Sequence, residues 1–185
     1  MSEPALDQIR DGRRRRGHER RRALLDATLT VIGRDGLSAV SQRSVAAEAG
    51  VPPSAVYYYF ATLDDLVEST LVEVNDRCIA ELRNAVVADD PVRAVAVATV
   101  HAGQRTRGEA LAELELWLQA ARTARLAPEL ERWDTELQAV AAALSDDPAV
   151  IDALIAALNG YYWQAATGDG FDVGRLEAIL RCILR

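Results

Sequence analysis

Apolar residues recur every three or four positions along most of this chain, and no stretch alternates apolar and polar residues as a half-buried strand does. The first apolar stripe starts near Glu19, includes Leu25 and Leu29, and ends near Arg34. A longer stripe runs over residues 63–88. The pattern therefore predicts an all-α fold.

Cap and breaker residues indicate where the other helices begin and end. Ser41 suits the N-cap of a second helix, which Gly50 would end. Pro53 suits the first turn of a third helix that reaches Tyr59. Thr62 opens a segment that resembles a capping box and starts a long fourth helix. Later helices are expected at about 91–103, 109–125, 128–144, 148–166 and 173–184.

The segment from Ser41 to Phe60 carries the most specific signal in the chain. Its sequence, SQRSVAAEAGVPPSAVYYYF, predicts two short helices joined by a turn centred on Gly50. Two such helices packed at a steep angle form a helix-turn-helix, whose second helix lies in a DNA major groove. We therefore predict a DNA-binding element, braced by the helix that starts near Glu19.

The distribution of charge supports this prediction, although the net charge of −7 and the pI near 4.9 argue against nucleic-acid binding by the chain as a whole. Up to Thr62 the chain has ten Arg and seven acidic residues, whereas the remainder has eleven Arg and twenty-one acidic residues. The basic part thus coincides with the predicted helix-turn-helix, as expected for a DNA-binding head on an acidic body.

Residues 1–17 are polar and unpatterned, and they hold four consecutive arginines from Arg13 to Arg16. This composition predicts a flexible basic arm. Such an arm could follow the DNA backbone, enter an adjacent minor groove, or remain a solvated tail.

Several other classes of protein are disfavoured. Cys78 and Cys182 match no metal spacing, and no apolar run reaches the roughly 18 residues that span a bilayer. The segment behind the arginine cluster is interrupted by Asp26 and lacks a small-residue cleavage site, so it does not fit an export signal. We predict a cytoplasmic protein with no metal and no cofactor.

Catalysis is also disfavoured. Glu113 and Glu115 are too close in sequence to share a helical face, and His18 and His101 belong to the arm and to an isolated helix. No combination of acid, base and nucleophile emerges, so the chain is not expected to be an enzyme.

Residues 20–69 resemble the DNA-binding domain of the bacterial TetR (tetracycline-repressor-like) family of transcriptional regulators. The resemblance rests on residues in the family's spacing: Ala27, Gly36, Val45, Ala46, Ala49, Gly50, Val51, Val56, Tyr57, Tyr59, Phe60 and Leu66. It implies a helix-turn-helix domain over 18–62, followed by an effector-binding and dimerisation domain over 63–185. It also implies a homodimeric repressor that binds a double-stranded DNA operator and is released by a small-molecule effector, although ligand-promoted binding stays open.

By this resemblance, Arg43, Pro53 and Ser54 lie toward base edges, while Tyr57 and Tyr59 hold the phosphate backbone. The alternative is that Tyr57, Tyr58 and Tyr59 form a purely structural aromatic cluster in the core of the small domain. Consecutive helical residues point about 100° apart, so the three tyrosines cannot all face the core. The candidate DNA-binding residues are Ser41, Arg43, Pro53, Ser54, Tyr57, Tyr58 and Tyr59.

Two positions depart from the family pattern. Pro52 stands where a small polar cap is usual, and Leu63 stands where a Lys is usual. Loss of one phosphate contact per subunit would flatten the salt dependence of binding by roughly one unit per contact. These departures are the best support for the alternative function, a helical dimeric adaptor with weak or no DNA binding.

The last two predicted helices carry wide apolar stripes. They fit either a four-helix interface with a second copy or burial within one chain. The candidate interface residues are Ile151, Leu154, Ile155, Leu158, Tyr162, Leu176, Ile179, Leu180 and Ile183.

Aromatic and polar residues of the body are candidates for an effector cavity, which the resemblance places between the body helices. Each of them could instead be an ordinary core residue. The candidates are His101, Glu113, Trp117, Trp133, Asn159, Tyr161 and Trp163.

Overall fold

Nine α-helices make up the described part of the chain, in which there is no β-strand. The computed structural model describes residues 3–101, 106–168 and 172–185. The helices are α1 (Glu3–Asp35), α2 (Gln42–Glu48), α3 (Pro53–Tyr59), α4 (Leu63–Ala85), α5 (Pro91–His101), α6 (Arg107–Arg122), α7 (Ala127–Ala142), α8 (Pro148–Thr167) and α9 (Val173–Ile183). The prediction of an all-α fold is confirmed.

The N-terminal region differs from its prediction. The backbone of α1 begins at Glu3, whereas residues 1–17 were predicted to lack regular structure. Arg is a good helix former, and Pro4 is tolerated in a first helical turn, so the arginine-rich stretch extends α1 instead of interrupting it. The side chains of Arg15, Arg16 and Arg20 are exposed on this extension. DNA contact by this region stays a prediction.

Local side-chain hydrogen bonds fix the starts of α2 and α4. The Ser41 hydroxyl accepts from the Ser44 N–H at 3.1 Å, and the Ser44 hydroxyl accepts from the Ser41 N–H at 2.9 Å. At α4, Thr62 and Asp65 exchange the equivalent bonds at 3.0 and 3.1 Å. The shorter Asp side chain therefore completes the capping box. Gly50 has φ 65°, a left-handed conformation that favours glycine after a helix.

Helix α4 connects the helix-turn-helix to the body because it contributes to all three apolar cores. Leu66 packs into the core of the helix-turn-helix with residues of α1, α2 and α3. Leu71 and Val74 join a middle core with α1 and α6. Leu82 belongs to the core of the body with α5, α7, α8 and α9. A displacement of α4 would therefore change the packing of both the helix-turn-helix and the body.

A second connection is formed by α1 and α6. Gly33 and Gly108 let the two helices approach closely, since a Cβ atom added at Gly33 would lie 2.6 Å from the Gly108 carbonyl carbon. Four residues after Gly33, the backbone N–H of Leu37 donates to Glu115 Oε2 at 2.6 Å. The carboxylate of Glu115 thus joins α6 to the turn that precedes α2.

Candidate functional site

The exposed side of the helix-turn-helix carries polar and aromatic side chains without a core role. On α3, Tyr57 is 59% exposed and Tyr58 is 82% exposed. Pro53 and Ser54 are exposed at the start of the same helix, and Arg43 is exposed on α2. These exposed residues are the candidate surface for a macromolecular partner, and we call them the reading surface.

Tyr59 and Ser41 are placed differently from the reading surface. Tyr59 is half-buried against the core of the helix-turn-helix, and its ring meets the ring of Tyr58 edge-on with centroids 5.0 Å apart. Ser41 is half-buried and its hydroxyl caps α2. The structural alternative thus applies to Tyr59, which packs on the core, while Tyr57 and Tyr58 remain exposed and available for contact with a partner.

Some arginines near this surface have structural partners. The Arg21 guanidinium lies over the ring of Phe60, 5.1 Å from its centroid, which is a favourable cation–π geometry. Arg22 pairs with Glu73 at 3.5 Å. The Arg125 guanidinium donates to Asp65 at 2.6 Å and, with the hydrogen bonds of Thr62, lowers the pKa of the Asp65 carboxyl. Because Asp65 caps α4, this pair ties the turn before α7 to the start of α4.

A cavity of about 360 Å³ lies among α4, α5, α6, α7 and α8. This size suits a small organic molecule. Its lining is mostly apolar, with Val74, Leu82 and Leu137 among the contributors. All three tryptophans of the chain line it, and the rings of Trp117 and Trp133 meet edge-on with centroids 5.4 Å apart. The third, Trp163, also lines the cavity and is 54% exposed.

Two buried polar residues line the same cavity. Glu113 is 6% exposed, and its carboxylate accepts a hydrogen bond from the Tyr162 hydroxyl. Asn75 is 1% exposed, and its Nδ2 donates to Glu129 Oε2 at 3.1 Å. Buried polar groups in an apolar cavity are the features that orient a small ligand. In the part of the chain that the structure describes, no cluster of acidic, His or Cys side chains could hold a metal ion.

Comparison with protein families identifies both halves of the molecule. Residues 24–70 match the model described as bacterial regulatory proteins, tetR family. Residues 87–185, more than half of the chain, match the model described as tetracyclin repressor-like, C-terminal domain. The chain belongs to the TetR family. This family is composed of transcriptional regulators, so the predictions of a helix-turn-helix regulator and of its family are confirmed, and the adaptor alternative gains no support.

Two named relatives of this TetR-family chain are helix-turn-helix regulators. It is 33% identical over 78 residues to the HTH-type nicotine-responsive transcriptional repressor HdnoR of Paenarthrobacter nicotinovorans, a match to 42% of this chain and 40% of that protein. It is 32% identical over 108 residues to the HTH-type transcriptional regulator BetI of Rhizobium meliloti (strain 1021), a match to 56% of this chain and 53% of that protein. The chain spans about half or less of the length of these relatives.

Solved structures of TetR-family proteins are similar over most of the chain. A family member from Streptomyces coelicolor A3 is 32% identical with a TM-score of 0.73, and the match covers 90% of this chain and 99% of that one. The multidrug binding protein EbrR, complexed with malachite green, is 34% identical with a TM-score of 0.67, over 90% and 99% of the two chains. The described helices thus have the TetR arrangement over most of the chain.

The effector candidates of this TetR-family chain separate into three groups. Glu113, Trp117, Trp133, Asn159 and Trp163 line the cavity. The side chain of His101, the last residue of α5, lies outside the part that the structure describes.

The third group is Tyr161 alone, for which the prediction was wrong. Tyr161 is 5% exposed, and its hydroxyl donates to the Asp172 carbonyl, so it stabilises the α8–α9 connection and does not line the cavity. The cavity-lining tyrosine is Tyr162. Asn75 also lines the cavity but was not among the residues predicted from the sequence; its position beside Val74 within the apolar stripe of α4 was the available signal.

Some of the interface candidates need correction. Leu154, Leu158, Leu176 and Leu180 are at most 3% exposed and form the core of the body within one chain. Tyr162 lines the cavity. The half-buried candidates, Ile151, Ile155, Ile179 and Ile183, pack against that same core. The fully buried leucines thus belong to the core of their own chain, whereas contact of the half-buried isoleucines with a second copy stays a prediction.

Small residues are common among the exposed positions of these two helices, beside the charged Asp152, Arg175 and Arg181. Ala149, Ala156 and Gly160 are exposed on α8, and Ala178 and Cys182 are exposed on α9. We call these residues the outward face of α8 and α9. Small side chains let helices of two molecules approach closely, which an interface between helices requires.

Proposed function

We propose that this TetR-family protein is a homodimeric repressor that binds a double-stranded DNA operator and leaves it when a small molecule occupies the cavity. Two observations support the proposal. The reading surface is exposed on α2 and α3, and the cavity is lined by α4 and α6, the two helices that hold the helix-turn-helix. A protein that acts on chromosomal DNA would work in the cytoplasm.

The chemistry of the reading surface suits phosphate contacts combined with limited base readout. The part of α3 between Pro53 and Phe60 carries no charge, so Ser54 and the hydroxyls of Tyr57 and Tyr58 supply its polar groups. Arg43 on α2 supplies a charged donor for phosphate or guanine. Leu63 is half-buried against the core of the helix-turn-helix and adds no phosphate contact. We therefore expect a shallower salt dependence than for a relative with Lys at that position.

A dimer is part of the proposal because one reading surface is small. A single helix-turn-helix makes too few contacts for tight specific binding, and two of them can dock on half-sites about one turn apart. The outward face of α8 and α9 is the surface on which we place the second copy.

Ala156→Arg tests that interface. Ala156 is exposed on α8, so the larger, charged side chain fits a solvated monomer but would clash at a close interface between helices. We expect the variant to sediment as a folded monomer and to lose most operator affinity.

Ala139→Arg is the matched control, because Ala139 is exposed on α7 and lies outside the outward face of α8 and α9. This variant should remain dimeric. An Ala156→Arg protein that is still dimeric at micromolar concentration would place the interface elsewhere.

The proposed route from cavity to DNA uses both connecting helices. On α4, Val74 and Asn75 line the cavity and Leu66 lies in the core of the helix-turn-helix. On α6, Glu113 lines the cavity and Glu115 accepts from the N–H of Leu37 before α2. A ligand that displaces either helix changes the separation of the two reading surfaces. The coupling between ligand and DNA is expected to be about 1–3 kcal/mol and reciprocal.

The function is tested by selecting bound sequences from a random DNA duplex library. The selected complex is then titrated with small molecules that bind in the cavity. We expect an enriched site with two related halves whose centres lie about 10 base pairs or a multiple apart. The affinity for this site should fall when a cavity ligand is added. Enrichment of no sequence, or release by compounds that leave the tryptophan emission of the cavity unchanged, would contradict the proposal.

A further inference from the structure

Two adjacent proline rings form an apolar patch beside the polar groups of the reading surface. Pro52 is the N-cap residue of α3 and Pro53 is its first residue, and both are exposed. Each pyrrolidine ring presents methylene groups and lacks a backbone N–H. The N–H of Ala55 already donates to the Pro52 carbonyl at 2.9 Å, so the start of α3 is poor in donors for a phosphate. The patch therefore offers carbon atoms to its partner.

The remaining residues of α3 are unsuited to the strongest polar contacts with bases. In the major groove, Arg and Lys pair with guanine, Asn and Gln with adenine, and acidic residues with cytosine. None of these residue types occurs between Pro52 and Phe60. Ser54 is exposed beside the prolines, but a hydroxyl can bond to several bases and discriminates little between them. The specificity of α3 must therefore depend largely on apolar contact.

Thymine is the base that presents an apolar group in the major groove. Its C5-methyl group projects there, and apolar side chains read thymine by contact with this group. In a helix-turn-helix, the first residues of the second helix are those that reach base edges. Here these residues include Pro53, with Pro52 directly before it. Cytosine at the same place would present an amino donor, which the proline rings would bury without an acceptor.

We propose that the rings of Pro52 and Pro53 select A·T base pairs in each half-site by contact with thymine methyl groups. This inference rests on the proposed function in taking α3 as the helix that reads DNA. It adds the base that α3 selects and the chemical group by which that base is selected. A guanine in the same half-site is read by Arg43, which is exposed on α2.

Replacement of thymine by deoxyuridine tests this contact on the unaltered protein, because it removes the methyl group and keeps the polar edges of the base. Each thymine of the site enriched from the random library is replaced in turn, and the affinity of the full chain is measured. At the thymine that contacts the prolines, we expect affinity to fall about fourfold for one half-site and about fifteenfold for both, the value of one buried methyl group in each. Thymines between the two halves serve as the control and should be replaceable without loss of affinity.

Proline variants assign the effect to the protein side of the contact. Pro52→Ala and Pro53→Ala, made singly and together, remove the rings at positions where the helix has no side-chain cap to lose. In the double variant the penalty for deoxyuridine should disappear, because the methyl group no longer has a partner, and a double-mutant cycle between protein and DNA measures this coupling. Pro148→Ala is the matched control, because Pro148 is the exposed first residue of α8 in the body. This control should keep the full penalty.

The possible outcomes separate this inference from the proposed function. An enriched site in which no replacement by deoxyuridine within the two halves weakens binding would overturn the inference and leave the proposed function standing. A penalty that persists unchanged in the folded double proline variant would overturn it as well. If that variant does not fold, the single variants and the deoxyuridine series on the unaltered protein still decide. Enrichment of no sequence would contradict the proposed function, and this inference with it.

Discussion

Gly33→Ala is expected to lower the free energy of unfolding by about 2–3 kcal/mol, the upper part of the range for overpacking a tight contact. The added methyl group would lie 2.6 Å from the carbonyl carbon of Gly108 and closer still to its oxygen. Both atoms belong to backbone, so relief requires α1 and α6 to separate. Since Glu115 on α6 also holds the Leu37 N–H, the same change should weaken the ligand's effect on DNA affinity.

Two other glycines serve as controls for this urea-unfolding measurement. Gly17 lies on the same helix with no atom within 4 Å of an added Cβ, so Gly17→Ala should stabilise the protein by about 0.5–1 kcal/mol. Gly108→Ala places its methyl group 3.5 Å from the Gly33 oxygen, an ordinary contact, and should be tolerated. If Gly33→Ala unfolded at the same urea concentration as Gly17→Ala, the close crossing of α1 and α6 would be wrong.

The double variant Tyr57→Ala, Tyr58→Ala should lose about a thousandfold in operator affinity. Each hydroxyl that meets a phosphate contributes about 1 kcal/mol, and a dimer would lose four of them. Tyr57 is 59% exposed and Tyr58 is 82% exposed, so the folded chain should change little in stability. The Tyr58 ring also meets Tyr59 edge-on, a contact of about 0.5–1.5 kcal/mol, so thermal unfolding is measured in parallel.

Val87→Ala is the control for this experiment. Val87 is 82% exposed beyond the end of α4 that lies away from the helix-turn-helix, so its truncation should leave operator affinity within about twofold. If the folded double tyrosine variant bound the operator as tightly as this control, Tyr57 and Tyr58 of α3 would not contact the DNA.

Local sequence rules predicted the helix-turn-helix well because its boundaries depend on local hydrogen bonds. Ser41 and Thr62 cap their helices through residues three positions later, and Gly50 ends α2 through its own backbone conformation. None of these features needs a distant partner. The start of α1 was predicted less well, because a polar, arginine-rich stretch is compatible with both a helix and a flexible arm.

Long-range features could be predicted only in part. An apolar stripe shows that Leu154 and Leu176 are buried, but it does not show whether their own chain or a second copy buries them. Tyr161 and Tyr162 are adjacent and are the same type of residue. Only the packing of α8 against its neighbours decides which one lines the cavity. Asn75 gains its significance from Glu129 on another helix, a contact that no spacing within α4 predicts.

The most direct test of the account is the stoichiometry and footprint of the purified protein on the DNA upstream of its own gene at low ionic strength. Analytical ultracentrifugation with labelled duplex, followed by nuclease footprinting, measures both. We predict two chains per duplex and a protected region with two related halves, centred about 10 base pairs or a multiple apart. A single chain that remains monomeric and protects no sequence in this DNA would contradict the account.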